Sequence, residues 1–366
     1  MGWSIKLFTW GGTAVRMHIT FLLLVAWIAA VQWSRGGAHD ALAGVLFILV
    51  LFACVVLHEF GHIWAARRYG IRTPDVTLLP IGGVAAMERM PEKPSQEIVV
   101  ALAGPAVNLV IAAVLFAGLG LRVSTEQTWQ ETLQSSFWAQ VAAANVVLLV
   151  FNLIPAFPMD GGRVLRALLA MRLGYTRGTK VAATIGQVLA VGFAFLGFMG
   201  NPMLILIAIF IFLAASGEAG AVEAREVIRG RPVKDGMITS FEALGVGATA
   251  DDAATKLLST TQHEFPLLDG AGRLRGVVTQ KAIIEALRGG EGGKPALEIM
   301  DANVPTLHAD EDLALAVDLL RRSGARLVGV VDDASSLVGY VTPENISELV
   351  MIGASRERSG ADWLRT

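Results

Sequence analysis

The sequence predicts a membrane α-helical domain of about six transmembrane helices followed by a soluble α/β tandem module at the C-terminal end, on three observations. First, 54% of the 366 residues are hydrophobic and only 17% are charged, with a mean hydropathy of +0.55, a composition outside that of ordinary soluble domains. Second, the apolar residues are gathered into long runs that stop at Glu218. Third, the chain from residue 232 onward turns polar and repeats itself. A formal net charge of −2 leaves out the basic face that a nucleic-acid partner demands. The single cysteine, Cys54, cannot form an internal disulfide.

The runs long enough, or nearly long enough, to cross a bilayer lie at 19–33, 41–62, 99–121, 137–154, 184–200 and 203–217. Only Asn201-Pro202 separates the last two, and proline's missing N–H and fixed φ favour a tight turn between antiparallel helices there. Cations gather in alternate connections. Lys6 and Arg16 precede the first run; Arg67, Arg68, Arg72, Arg89 and Lys93 lie between the second and third; Arg163, Arg166, Arg172, Arg177 and Lys180 lie between the fourth and fifth. The other connections hold only Arg35 and Arg122, offset by Asp40, Glu126 and Glu131. By the positive-inside rule both termini are expected in the cytoplasm. The expected organisation is a membrane domain over 1–220, a linker over 221–231, soluble repeats over 232–290 and 295–352, and a polar tail over 353–366, disordered from Ser355.

Ionisable groups at bilayer depth cost several kcal/mol and therefore mark function. Within the runs they are few: His58, Glu59 and His62 at the end of the second, and Glu218 closing the sixth. His58-Glu59-Phe60-Gly61-His62 is an HExxH motif. On a helix its imidazoles share one face a turn apart, as two ligands of one tetrahedral zinc require, and the adjacent glutamate can serve as base. A catalytic zinc takes a third protein ligand. His39 lies in an expected outer loop, His263 and His308 in the soluble part, and His18 at the lip of the first helix. Cys54 shares the face of His58 one turn deeper, where a lone cysteine is usually a small core residue. Asp160, the carboxylate ending an uncharged stretch from Ala139 to Met159, is the better third ligand. It follows Pro155 and Pro158, which break the fourth helix, and broken backbone at membrane depth implies surrounding protein or a water-filled cavity.

HEFGH (58–62) together with NLIPAFPMDGG (152–162) resembles the site-2 protease family of intramembrane metalloproteases. Ala103-Gly104-Pro105-Ala106-Val107-Asn108 is similar to that family's small-residue helix, and Leu79-Pro80-Ile81-Gly82-Gly83-Val84 to its strand-forming loop near the active site. The resemblance covers residues 15–220 and implies one Zn2+ per chain, with His58, His62 and Asp160 as ligands and Glu59 as catalytic base. It also implies that Asn152 and Asn108 contact the substrate backbone or the oxyanion; a helix-packing hydrogen bond beside Gly104 is the other reading of Asn108. The implied activity is cleavage of a single-pass membrane protein substrate within or beside the bilayer, in regulated intramembrane proteolysis that releases a signalling factor.

In the soluble part Met237 matches Met300, Asp269 matches Asp332, and Gly276-Val277-Val278-Thr279 matches Gly339-Tyr340-Val341-Thr342. Each unit carries a helical stretch, two strand-like apolar runs and a final helix, and the pair resembles tandem cystathionine-β-synthase (CBS) domains, which often bind adenine nucleotides. Nucleotide-binding copies place an aspartate three residues after the threonine, whereas this chain has Ala282 after Thr279 and Asn345 after Thr342. Thr279, Thr342 and Asn345 are the candidate nucleotide contacts. A homodimer through this pair is the competing expectation. From another class, a membrane cation transporter or channel with regulatory CBS domains also joins spans to such a tail, but has no need for a base beside two same-face imidazoles.

Overall fold

The computed structural model describes residues 3–80, 82–87, 91, 93–119 and 136–359. Arg89, Arg122, Glu126, Glu131, Ile81 and the end of the third apolar run lie outside the described residues. The chain divides into two compact units, Met1–Gly220 and Ala221–Thr366.

The first unit opens with an antiparallel hairpin that periodicity in the sequence had not revealed: β1 (Ser4–Trp10) and β2 (Thr13–His18) joined at Gly11-Gly12, both at positive φ. β2 runs directly into α1 (Ile19–Arg67), which holds the first two apolar runs. Non-helical backbone at Gly36 and Gly37 folds α1 into two limbs. Phe21 of the first limb meets Phe52 of the second edge to face with centroids 4.4 Å apart, and the limbs run back against each other. His39, expected in a loop, is therefore helical. After α1 come β3 (Asp75–Leu79) and β4 (Gly82–Ala85), and the sheet order is β1-β2-β3-β4, parallel only between β2 and β3. Val15, Val76 and Leu78 from this sheet pack on Phe52, Phe60 and Ile63 of α1, so burying those side chains fixes the end of α1 against the strands.

Among the described residues the further helices up to Ile228 are α2 (Pro94–Gly118), α3 (Phe137–Asn152), α4 (Asp160–Leu173), α5 (Tyr175–Met199) and α6 (Met203–Ile228). Among the described residues four helices, α1, α2, α5 and α6, are long and apolar enough to cross a membrane, and α3 is a shorter apolar helix. Large apolar side chains such as Val110 and Val114 on α2, or Val188, Val191 and Phe195 on α5, face outward, a surface suited to lipid rather than water. Asn201 caps α6 by accepting from the Met203 amide at 3.1 Å, the turn expected at Asn201-Pro202. α6 does not end near Glu218, as expected from the loss of apolar character, but continues to Ile228 through Glu, Ala and Arg, good helix formers, with Val222, Val227 and Ile228 buried.

The second unit contains two similar halves. β5 (Leu244–Gly245), α7 (Ala250–Ser259), β6 (Glu264–Leu268), β7 (Leu274–Thr279) and α8 (Gln280–Arg288) form the first; α9 (Ala296–Ile299) follows. β8 (Thr306–His308), α10 (Leu313–Ser323), β9 (Val328–Val331), β10 (Leu337–Val341) and α11 (Pro343–Ser359) form the second. Each sheet has three strands. The repeated residues interlock across the halves. A Cβ on Gly276 would lie 2.6 Å from Met300 Sδ, and one on Gly339 would lie 2.9 Å from Met237 Sδ, so each repeat's methionine sits on the other repeat's glycine. α11 extends past Ser355, where disorder was expected, because Gly353 packs on Val227 of α6.

Candidate metal centre

Three elements meet at the HExxH segment. The second limb of α1 brings His58, Glu59 and His62; α2 packs across it; and α4 begins at Asp160. The α1–α2 crossing is close because small residues line it. A Cβ on Gly61 would lie 2.6 Å from the Ala103 carbonyl oxygen, and one on Gly104 would lie 2.2 Å from His62 Nε2 and 2.7 Å from His58 Nε2. Gly104 is thus the only residue type that leaves room for both imidazoles.

Asp160 arrives through the break after α3. Residues 153–159 wrap the first turn of α4 so tightly that a Cβ on Gly161 would lie 2.4 Å from the Leu153 and Ile154 carbonyl oxygens. Ala156, Phe157 and Met159 are buried in this elbow.

The geometry of the three side chains is that of a metal cradle. His62 Nδ1 donates to the Val100 carbonyl oxygen at 2.7 Å, and His58 Nδ1 donates to Asn108 Oδ1 at 3.0 Å. A carbonyl oxygen only accepts, so the ring protons are committed to Nδ1 and each Nε2 keeps a bare lone pair. These Nε2 atoms lie 3.0 Å apart, and Asp160 Oδ2 lies 3.2 Å from His58 Nε2 and 3.1 Å from His62 Nε2. Ligand atoms of a tetrahedral zinc with bonds of about 2.0 Å are separated by about 3.3 Å. The three donors are buried, and Asp160 Oδ2 has no hydrogen-bond partner. Converging lone pairs repel each other without a cation between them, so the donor set fits zinc.

Among the described residues, only His58, His62 and Asp160 form a group able to hold a metal ion, their ligand atoms all within 4.8 Å of one another. Cys54 is buried outside it. His18 caps α1, and His39 is exposed beside Asp40. Glu59 lies against β4, where a Cβ on Gly83 would come within 2.7 Å of Glu59 Cγ.

Asn108 is 1% exposed and its Oδ1 accepts from His58 Nδ1, one of two contacts from α2 to the imidazoles, which accords with the helix-packing reading of this residue. Asn152 closes α3, half-buried. Two features escaped the sequence. Val100 acts through its backbone, which no side-chain motif reveals. Arg166, read as one of the loop cations, is fully buried, with its Nε donating to Glu97 Oε1 at 2.7 Å and its terminal nitrogens paired with Glu97 and Glu218. Those two carboxylates draw it inward.

In the second unit Thr279 Oγ1 accepts from the Ala282 amide and Thr342 Oγ1 from the Asn345 amide, both at 3.2 Å, so each threonine caps its following helix. Asn345 Oδ1 is buried with no hydrogen-bond partner.

The sequence matches the family described as Peptidase family M50 over residues 46–134 and 120–196, and the CBS domain over 232–289 and 296–352. A zinc metalloprotease of Methanocaldococcus jannaschii is 34% identical over 280 residues, 76% of this chain and 78% of that protein. Rip3 of Mycobacterium tuberculosis, named as a zinc metalloprotease, is 28% identical over 363 residues, 93% of this chain and 91% of that protein. The solved site-2 protease of Methanocaldococcus jannaschii is 36% identical, covers 59% of this chain and 95% of its own, and superposes with a TM-score of 0.45. The chain belongs to peptidase family M50 and is a zinc metalloprotease with helices apolar enough to cross a membrane, carrying a C-terminal pair of CBS domains.

Proposed function

We propose that this chain cleaves transmembrane segments of single-pass membrane proteins, with His58, His62 and Asp160 holding one zinc ion and Glu59 acting as base. The observation that carries the reading is the convergence of three buried donor atoms, both histidines fixed in the ligating tautomer, among helices apolar enough to lie in lipid. Bound zinc supplies Lewis-acid polarisation of a scissile carbonyl. Glu59 takes a proton from the attacking water on its carboxylate and returns it to the leaving amine. An amide donor, for which Asn152 is the candidate, stabilises the oxyanion. The substrate helix has its carbonyls bonded internally, so it must unwind, and pairing along β4, the edge strand beside Glu59, offers an extended state.

The cation distribution supports placing both termini and the CBS pair in the cytoplasm. Regulation by that pair is supported by the continuity of α6, which pairs with Arg166 through Glu218 and runs into the second unit. An adenine nucleotide at Thr342 and Asn345, with Thr279 its counterpart, is the proposed ligand, supported by the unpartnered Asn345 Oδ1. The pair is also the proposed surface for a homodimer. The biological role proposed is regulated intramembrane proteolysis. The test compares membrane fractions of cells carrying wild-type protein or Glu59→Gln by quantitative proteomics. Glu59→Gln is expected to keep its zinc and lose about 10²- to 10⁴-fold in cleavage, with a single-pass protein persisting only in the variant. Normal turnover of every single-pass protein in the variant defeats the reading.

A further inference from the structure

Asp160 and the two histidines belong to different helices, and something must hold those helices at the distance a metal requires. On α2, Glu97, Val100, Gly104 and Asn108 fall on one stripe at helical spacing. Val100 and Asn108 fix the two imidazoles, and Gly104 makes room for them. Glu97, at the start of the stripe and 2% exposed, is joined to Arg166 of α4, the helix that starts at Asp160. The guanidinium is 0% exposed and also lies 5.3 Å from the Phe157 ring centroid, in the elbow preceding Asp160, and 5.2 Å from that of Tyr175. A buried charge cannot leave its partner without large cost. The planar guanidinium fork therefore fixes separation and angle together.

We infer that Arg166 is a positioning residue for the metal centre: its ion pair with Glu97 sets the spacing between Asp160 on α4 and the stripe of α2 that orients His58 and His62. The inference rests on the proposed ligand set. Its test uses the full-length protein in detergent, with zinc affinity measured by competition against a chromophoric chelator, the d–d absorption of the cobalt-substituted protein, and melting of the metal-free form. Arg166→Lys keeps the charge without the fork, and Glu97→Gln keeps the shape without the charge. Each folded variant is expected to bind zinc about 10- to 100-fold more weakly, the usual effect of losing a group that orients metal ligands, with a shifted cobalt spectrum. Where Arg166→Lys does not fold, Glu97→Gln carries the test. A merely structural ion pair lowers the melting temperature of the metal-free protein but leaves affinity and spectrum at wild type. That outcome in either folded variant overturns the inference. Asp160→Asn is the control, since wild-type zinc affinity there removes the ligand set itself.

Discussion

A histidine ring has two nitrogens, and at His58 and His62 they have separate tasks. Nδ1 is spent on Asn108 or Val100 and Nε2 faces Asp160, free for the proposed metal. The sequence shows the two rings and not which nitrogen is free, because the partners come from another helix. In the second unit, Glu264 on β6 is half-buried; burial first, and then the neighbouring Glu344, push its carboxyl above the ordinary value of 4.5, against His263 and Arg326. A raised carboxyl favours the folded state while it is protonated. That stability is present below the ordinary value and lost as pH rises through the raised one. Glu264→Gln is therefore expected to melt at a higher temperature than wild type at pH 7, the two converging near about pH 4. Thermal unfolding across that range decides it, and equal melting temperatures at both ends contradict the assignment.

At the scale of elements, two glycines set spacings with different consequences. Gly104 sets the distance from α2 to the imidazoles, and Gly83 sets that from β4 to Glu59. A methyl at Gly104 meets backbone-anchored rings, so Gly104→Ala is expected to weaken zinc binding by about tenfold or more. A methyl at Gly83 meets the stem of Glu59, the proposed base, which is not among the three converging donors. Gly83→Ala is therefore expected to keep full zinc content while cleavage falls. Elemental analysis beside a cleavage assay separates the two, and zinc loss in Gly83→Ala contradicts the division. The membrane-length helices are legible from apolar runs, whereas α4, which lies between the fourth and fifth runs, is not. The hairpin β1–β2 is not, because its outer strand exposes apolar residues such as Ile5, Leu7 and Phe8 and so breaks the alternation that marks a strand.

For the whole molecule, the boundary between the units falls at Gly220, while α6 continues to Ile228, past the end expected near Glu218. A ligand of the CBS pair changes catalysis only by favouring one of two arrangements of the enzyme. Deleting residues 232–366 is expected to leave zinc binding intact, since its three donors and their supports all lie in the first unit. Cleavage rate or substrate selectivity is expected to change. Any nucleotide effect should vanish with Thr342→Ala or Asn345→Ala. Unchanged kinetics of the truncated protein on a membrane substrate would leave the tail as an assembly module.

The sequence by itself determined the membrane domain, the repeat and the three side chains that converge in one buried cluster, because each is written in short-range pattern: apolar run length, a self-matching segment, and HExxH with a carboxylate at a helix break. Only the tertiary structure decided the Nδ1 partners of His58 and His62, the burial of Asn108 beside His58, the closeness permitted by Gly104 and the burial of Arg166 between Glu97 and Glu218. Each of these joins residues distant in the chain, and no local spacing encodes which helix lies against which. Arg166 shows the physical reason most clearly: an arginine between two apolar runs reads as a solvated cation until two carboxylates from other helices make its burial the lower free energy.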